Sequence, residues 1–102
     1  MFPIVVESET SWLESLIRFV QELKRAFRER LKRVIALPSP EMRVYDSNVL
    51  VVLDRYDLKD VDLVVELALK VDERINPLVS SEGEGDIRAF LGEGGVEVEG
   101  RR

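Results

Sequence analysis

The sequence predicts a small α+β domain, a mixed β-sheet with helices packed mainly on one of its faces. Three observations predict it. Apolar residues recur at three- and four-residue steps from Leu13 to Leu31, the period of an amphipathic helix. Four short runs, "RVIAL", "NVLVVL", "INPLVS" and "VEVEG", are β-branched and bounded by turn residues. A second helical stripe lies between the second and third runs, as in a strand–helix–strand crossover. At 102 residues the chain is expected to form one domain, residues 1–102.

Each element can be justified in order. "FPIVV" is apolar and β-branched with Pro3 near its start, which suits an edge strand or extended arm over residues 1–10. Thr10 or Ser11 can cap the following helix, with Glu14 three residues after Ser11 as in a capping box. That helix is expected from Trp12 to about Lys32. Its stripe is Leu13, Leu16, Ile17, Val20, Leu23, Phe27 and Leu31. Arg33–Leu37 follows as a short strand, and the two prolines of "PSPEMRVYDS" break it into a loop. After "NVLVVL", "DRYDLKD" makes a turn in which Asp57 or Asp60 can cap a helix. Val61, Val64, Val65, Ala68 and Val71 give this second helix its buried stripe. Pro77 places the third strand at its own start or at a sheet edge. "SEGEGD" reads as a solvated loop, and "DIRAFLGEGG" as one or two helical turns ended by glycines. "VEVEG" alternates as a half-exposed final strand does.

Composition narrows the chemistry. The chain has no Cys and no His, which removes disulfides, thiolate or imidazole metal sites and histidine bases. Acid–base or metal work would fall to carboxylates, hydroxyls or Lys. A net charge of −5 disfavours a generic nucleic-acid binder. No run approaches the ~18 apolar residues of a membrane span, and "MFPIVVESET" lacks the basic and apolar regions of a signal peptide. A cytoplasmic protein without a membrane partner is expected. The high charge content, with one Gln and two Asn, fits a thermophilic source with surface ion pairs.

Several strings together resemble a known family. "VIALPS", "DSNVLVVLD", "INPLVSSE" and "LGEGGVEVEGR", in this order after a helix, are similar to the minimal nucleotidyltransferase-like domain. This is the small relative of DNA polymerase beta found in prokaryotic toxin–antitoxin pairs. The resemblance spans roughly residues 12–102. It implies a nucleotidyltransferase-like fold in which a strand ending in Gly-Ser cradles phosphate and an Asp-x-Asp strand binds Mg²⁺. It also implies a helical protein partner.

The residues at the motif positions depart from that chemistry. Nucleotidyl transfer uses Mg²⁺ to stabilise charge on the attacking and leaving oxygens, and Mg²⁺ takes hard oxygen ligands. Alternate strand positions share a face, so Asp-x-Asp presents two carboxylates together. Asn48 and Leu50 stand there instead. Pro38-Ser39 replaces Gly-Ser, and proline has no N–H to offer. A two-residue shift would pair Asp46 with Asn48, leaving an Mg²⁺-dependent nucleotidyltransferase that uses Asp46, Asn48 and Ser39 as the alternative. The main expectation is a degenerate active site without a cofactor. Ser39, Asp46 and Asn48 are then vestigial positions, with Ser39 and Asn48 open to a bound nucleotide, and the protein is a nucleotide-sensing or protein-interaction module resembling an antitoxin.

Two further features bear on partners. Trp12, Phe19 and Ala26 recur at seven-residue steps beside the main apolar stripe. They are read as an interface for a homo-oligomer or a helical partner, with a widened core face as the competing reading. Arg25, Arg28, Lys32 and Arg33 cluster at the end of the same helix, where cations favour the helix dipole.

Overall fold

The computed structural model describes residues 3–82 and 85–100, with residues 3–9 described by their backbone alone. Helix α1 (Pro3–Phe27) leads through a short 3₁₀ turn (Arg28–Arg30) into β1 (Leu31–Ala36). Then come β2 (Val49–Leu53), α2 (Leu58–Val71), β3 (Pro77–Ser81), α3 (Asp86–Gly92) and β4 (Val96–Gly100). The sheet order is β3-β2-β1-β4. β1 runs antiparallel to both β2 and β4, while β2 and β3 are parallel and joined by α2. The result is the α+β class that the sequence predicts.

The first helix differs most from expectation. The described residues show no N-terminal strand, because Pro3–Phe27 is one continuous helix; Met1 and Phe2 lie outside the described residues. Proline is tolerated in a helix's first turn. Each β-branched residue lowers helix propensity by only a few tenths of a kcal/mol, about 0.5, and extending an existing helix adds a hydrogen bond per residue. A lone strand without a pairing partner has no such return. The helix also ends earlier than predicted. Arg28 adopts the left-handed conformation, φ 53°, which ends α1 much as an αL residue ends many helices. Leu31 fits the helical stripe by spacing but begins β1, paired with Leu53.

The core has two layers because β2 is central and covered on both faces. Val49, Val51 and Leu53 pack with the buried faces of α1 and α2. Leu50 and Val52, pointing the other way by the two-residue strand period, pack with Ile35, Leu37, Val44 and Phe90 of α3. The two longer helices therefore share one face and the seven-residue α3 takes the other.

Local signals in the second half act as read. Asp57 caps α2 through a reciprocal capping box, its Oδ1 accepting from the Asp60 N–H at 3.1 Å while Asp60 Oδ2 accepts from the Asp57 N–H at 3.1 Å. Asp54 accepts from the Arg55 N–H at 2.7 Å in the preceding turn. Pro77 opens β3. Gly94 has φ 87° after α3. Gly95 passes so close to α3 that an added Cβ would lie 2.6 Å from the Phe90 carbonyl oxygen.

Candidate functional site

The head of β2, where the sequence points to a metal site, is built from a turn and a hydrogen-bond hub. Val44 and Ser47 exchange backbone hydrogen bonds of 2.8 and 2.9 Å. The two residues between them, Tyr45 and Asp46, both have positive φ, 53° and 64°. That is the backbone of a two-residue hairpin turn of type I′, which twists in the sense that flanking strands need. Asp46 is an exposed turn residue.

Asn48 is fully buried and its amide is engaged on every side. Its Nδ2 donates to the carbonyls of Pro40 (3.0 Å) and Arg74 (2.8 Å), and its Oδ1 accepts from the Asn76 N–H at 2.8 Å. Its own N–H donates to the Asn76 carbonyl at 3.0 Å and its carbonyl accepts from the Leu37 N–H at 2.9 Å. One side chain thus ties the β1–β2 loop to the segment leading into β3. The choice of an amide over a carboxylate follows: two carbonyl acceptors require two donors, which Asp⁻ lacks.

Ser39 donates to Glu41 Oε1 at 2.5 Å and accepts from the Glu41 N–H at 3.3 Å. That hydroxyl holds the Glu41 carboxyl below its ordinary pKa. Leu50 is buried in the α3-side core layer. These donors do not fit Mg²⁺, since the amide oxygen at the first motif position is already committed and the second position is hydrocarbon. Among the described residues, no three His, Cys, Asp or Glu side chains converge as a metal-binding group.

A second polar node adjoins this hub and was not visible in the sequence. Asp72 receives hydrogen bonds from Arg74 Nη2 (2.7 Å), from the Arg74 N–H (2.9 Å) and from Ser15 Oγ (2.5 Å). Arg74, then Ser15, holds the Asp72 carboxyl well below the usual carboxylate range. The same guanidinium lies 5.7 Å from the Trp12 ring and donates to Ser11 Oγ at 3.0 Å. The node locks α1 to the end of α2, and the Arg74 carbonyl connects it to Asn48.

The proposed interface stripe on α1 is corrected by its burial. Trp12 is 3% exposed and Phe19 0%, so both are core residues of this chain. Trp12 Nε1 donates to the Leu37 carbonyl at 3.0 Å. Ala26 is exposed near the helix end and forms no surface with the other two. The wider-core reading is the one that holds. Instead, Leu13 and Ile17, assigned to the core by their spacing, are 52% and 46% exposed, and Val96 on β4 is 60% exposed. Leu13 and Val96 border an apolar groove of about 170 Å³ between α1 and the edge strand β4, floored by Trp12, Leu16, Leu37 and Val98; Ile17 lies one helical turn beyond Leu13, outside that lining.

The basic cluster does not act as one patch. Arg25 pairs with Glu22 at 3.4 Å, Arg33 pairs with Glu97 at 2.7 Å, and Lys32 and Arg33 stand on β1. No helix among the described residues is long and apolar enough to cross a membrane. Comparison with known protein families, with curated proteins and with solved structures finds no match to this chain.

Proposed function

We propose that this chain is a non-catalytic protein-interaction module whose working surface is the apolar groove between α1 and β4. The observation that carries the reading is exposed Leu13 and Val96 at the groove, with exposed Ile17 one helical turn further along α1. Exposed apolar residues grouped beside a concave floor mark interaction surfaces more often than scattered ones do. At about 170 Å³ the groove lies below the ~300 Å³ of small-ligand pockets, a size for one or two side chains rather than a nucleotide. The nucleotidyltransferase-like order of elements would then serve as a scaffold, with function resting on the surface it presents. Engagement of the Asn48 amide and of the Ser39 hydroxyl within the chain supports interaction over nucleotide sensing.

Two measurements test this. Calorimetric titration with ATP should give no heat with or without Mg²⁺. Heat only with the metal would revive the enzyme reading, and heat without it would favour the nucleotide sensor. Trp12 is the chain's single tryptophan and lines the groove. At low protein concentration, an apolar fluorescent probe such as anilinonaphthalene sulfonate should accept energy from Trp12. The Leu13→Glu/Ile17→Glu variant should lose this transfer. Absence of transfer in the parent chain would remove the groove as a binding surface.

A further inference from the structure

The exposed groove lies beside a free sheet edge. β4 pairs with β1 on one side and is terminal in the sheet. Such an edge carries a row of unpaired backbone groups and is a template for another chain. Its glutamates would ordinarily oppose a close approach by a like-charged strand. Here they are neutralised from within, Glu97 by Arg33 at 2.7 Å and Glu99 by Lys24 at 3.6 Å.

Charge along α1 is segregated. Residues 3–14 carry three acids and no base, while residues 18–28 carry Arg18, Lys24, Arg25 and Arg28 against the single acid Glu22. A parallel neighbour of the same sequence would set like charges beside one another. An antiparallel neighbour sets the acidic half against the basic half. A two-fold axis perpendicular to the helix produces that arrangement, and it is the commonest symmetry of homo-oligomers. With the axis between Leu13 and Ile17, which are one turn apart, each of these residues lies level with the other in the second copy. The exposed apolar residues of α2, Leu58, Val65 and Leu69, have no comparable setting. That helix does pack against β3, the other terminal strand, but its charges run from Lys59 through Asp60, Asp62 and Glu66 to Lys70, so an antiparallel copy would set acids beside acids and a base beside a base.

We propose that a second copy of this chain occupies the groove, the two α1 helices running antiparallel across a two-fold axis with the free edges of their β4 strands alongside. The proposal rests on the interaction reading above and names the partner of that same surface. Ile17 of one copy packs beside Leu13 of the other at the groove, and Glu14, level with Leu16 of the second helix, lies about half a helical turn from its Arg18.

Sedimentation equilibrium over about 1 to 200 µM, the range of modest protein interfaces, tests it. The parent chain should sediment as a dimer at the upper end. Leu13→Glu/Ile17→Glu should weaken the dimer at least about 30-fold, the loss expected when central contacts are removed, with an unchanged circular dichroism spectrum because both positions are exposed. Leu69→Glu on α2 should leave association unaltered. Glu14→Lys and Arg18→Glu/Arg25→Glu should each weaken self-association, and their mixture should restore dimers. A parent chain that stays monomeric throughout, a dimer indifferent to the α1 changes, or one broken by Leu69→Glu would overturn the proposal. Failure of the charge-swapped mixture to recover would overturn the antiparallel arrangement. If the chain is monomeric yet the groove takes the apolar probe, only the second copy is excluded as partner. If the groove takes neither, the interaction reading falls as well.

Discussion

The head of β2 and the α1–β4 flank differ in how far the chain satisfies itself. At the head of β2, Asn48 uses both amide protons and its oxygen on three backbone groups from two separate segments. At the flank, Leu13 and Val96 stay exposed at a groove and Ile17 stays exposed one helical turn beyond it. The polar region that suggests chemistry is closed, and the apolar region that suggests packing is open. A buried polar group left unpaired costs about 1–3 kcal/mol, so the fold completes such a group first. Exposed hydrocarbon carries a smaller cost per residue and is what a surface can leave for a partner.

Core substitutions should separate the two sides of α1 most strongly. Phe19→Ala should cost about 3–5 kcal/mol, as expected for a large buried aromatic, whereas Ile17→Ala should cost the monomer no more than about 0.5 kcal/mol. Urea unfolding of both variants checks this. Similar losses would mean that α1 is rotated differently from its described position.

Next in size is the attempt to restore a carboxylate at the head of β2. Asn48→Asp would place a charge against the carbonyls of Pro40 and Arg74 and remove two donors. It should destabilise the chain by about 2–4 kcal/mol without creating Mg²⁺ or Mn²⁺ affinity. A variant of undiminished stability that binds Mn²⁺ in a calorimetric titration would contradict the hub.

A smaller effect is expected at the neighbouring node, and it depends on pH. Arg74 and Ser15 hold the Asp72 carboxyl below its ordinary pKa, so the folded state favours the carboxylate. As pH falls, the unfolded chain takes up this proton first. The stabilisation is therefore complete above the unfolded pKa of about 4 and is lost progressively below it. Asp72→Asn should cost about 1–2 kcal/mol at pH 7. The gap to the parent chain should narrow as pH falls below about 4. Thermal unfolding at pH 7 and pH 3 measures both quantities, and a constant gap would remove Asp72 from the account.

The smallest change should be a gain. Tyr45 and Asp46 occupy left-handed conformations that disfavour side chains by about 1 kcal/mol each. Replacing the pair by Asn-Gly, the preferred sequence of a type I′ turn, should stabilise the chain by about 0.5–1 kcal/mol in chemical denaturation. A loss of stability would show that Tyr45 or Asp46 makes contacts beyond the turn.

Much of the scaffold was legible because its causes are local. The five apolar residues of β2, the Asp57–Asp60 capping box, Pro77 at the start of β3 and the glycines after α3 each depend on neighbours within a few positions. The hairpin at Tyr45-Asp46 was not legible, since neither residue belongs to the Asn-Gly pattern that announces such a turn. Asn48 was singled out for the wrong chemistry. Its partners are backbone atoms at positions 40, 74 and 76, and every residue has those atoms, so no residue type betrays them. Ser15 and Asp72 were invisible for the related reason that their pairing spans 57 positions.

The sequence by itself determined that α1 is amphipathic, that β2 is buried and that the alternate positions at the head of β2 hold Asn48 and Leu50 rather than two carboxylates. Periodicity, burial preference and residue chemistry suffice for each of these. Only the tertiary structure decided which edge of the α1 apolar arc meets the protein. Contact with α2 through Ser15 and Asp72, and through the Glu22–Lys70 pair, turns the helix so that Trp12 and Phe19 enter the core while Leu13 faces the β4 edge and Ile17 stays exposed. A helical period fixes the width of an apolar face; the neighbours that pack against it fix its direction.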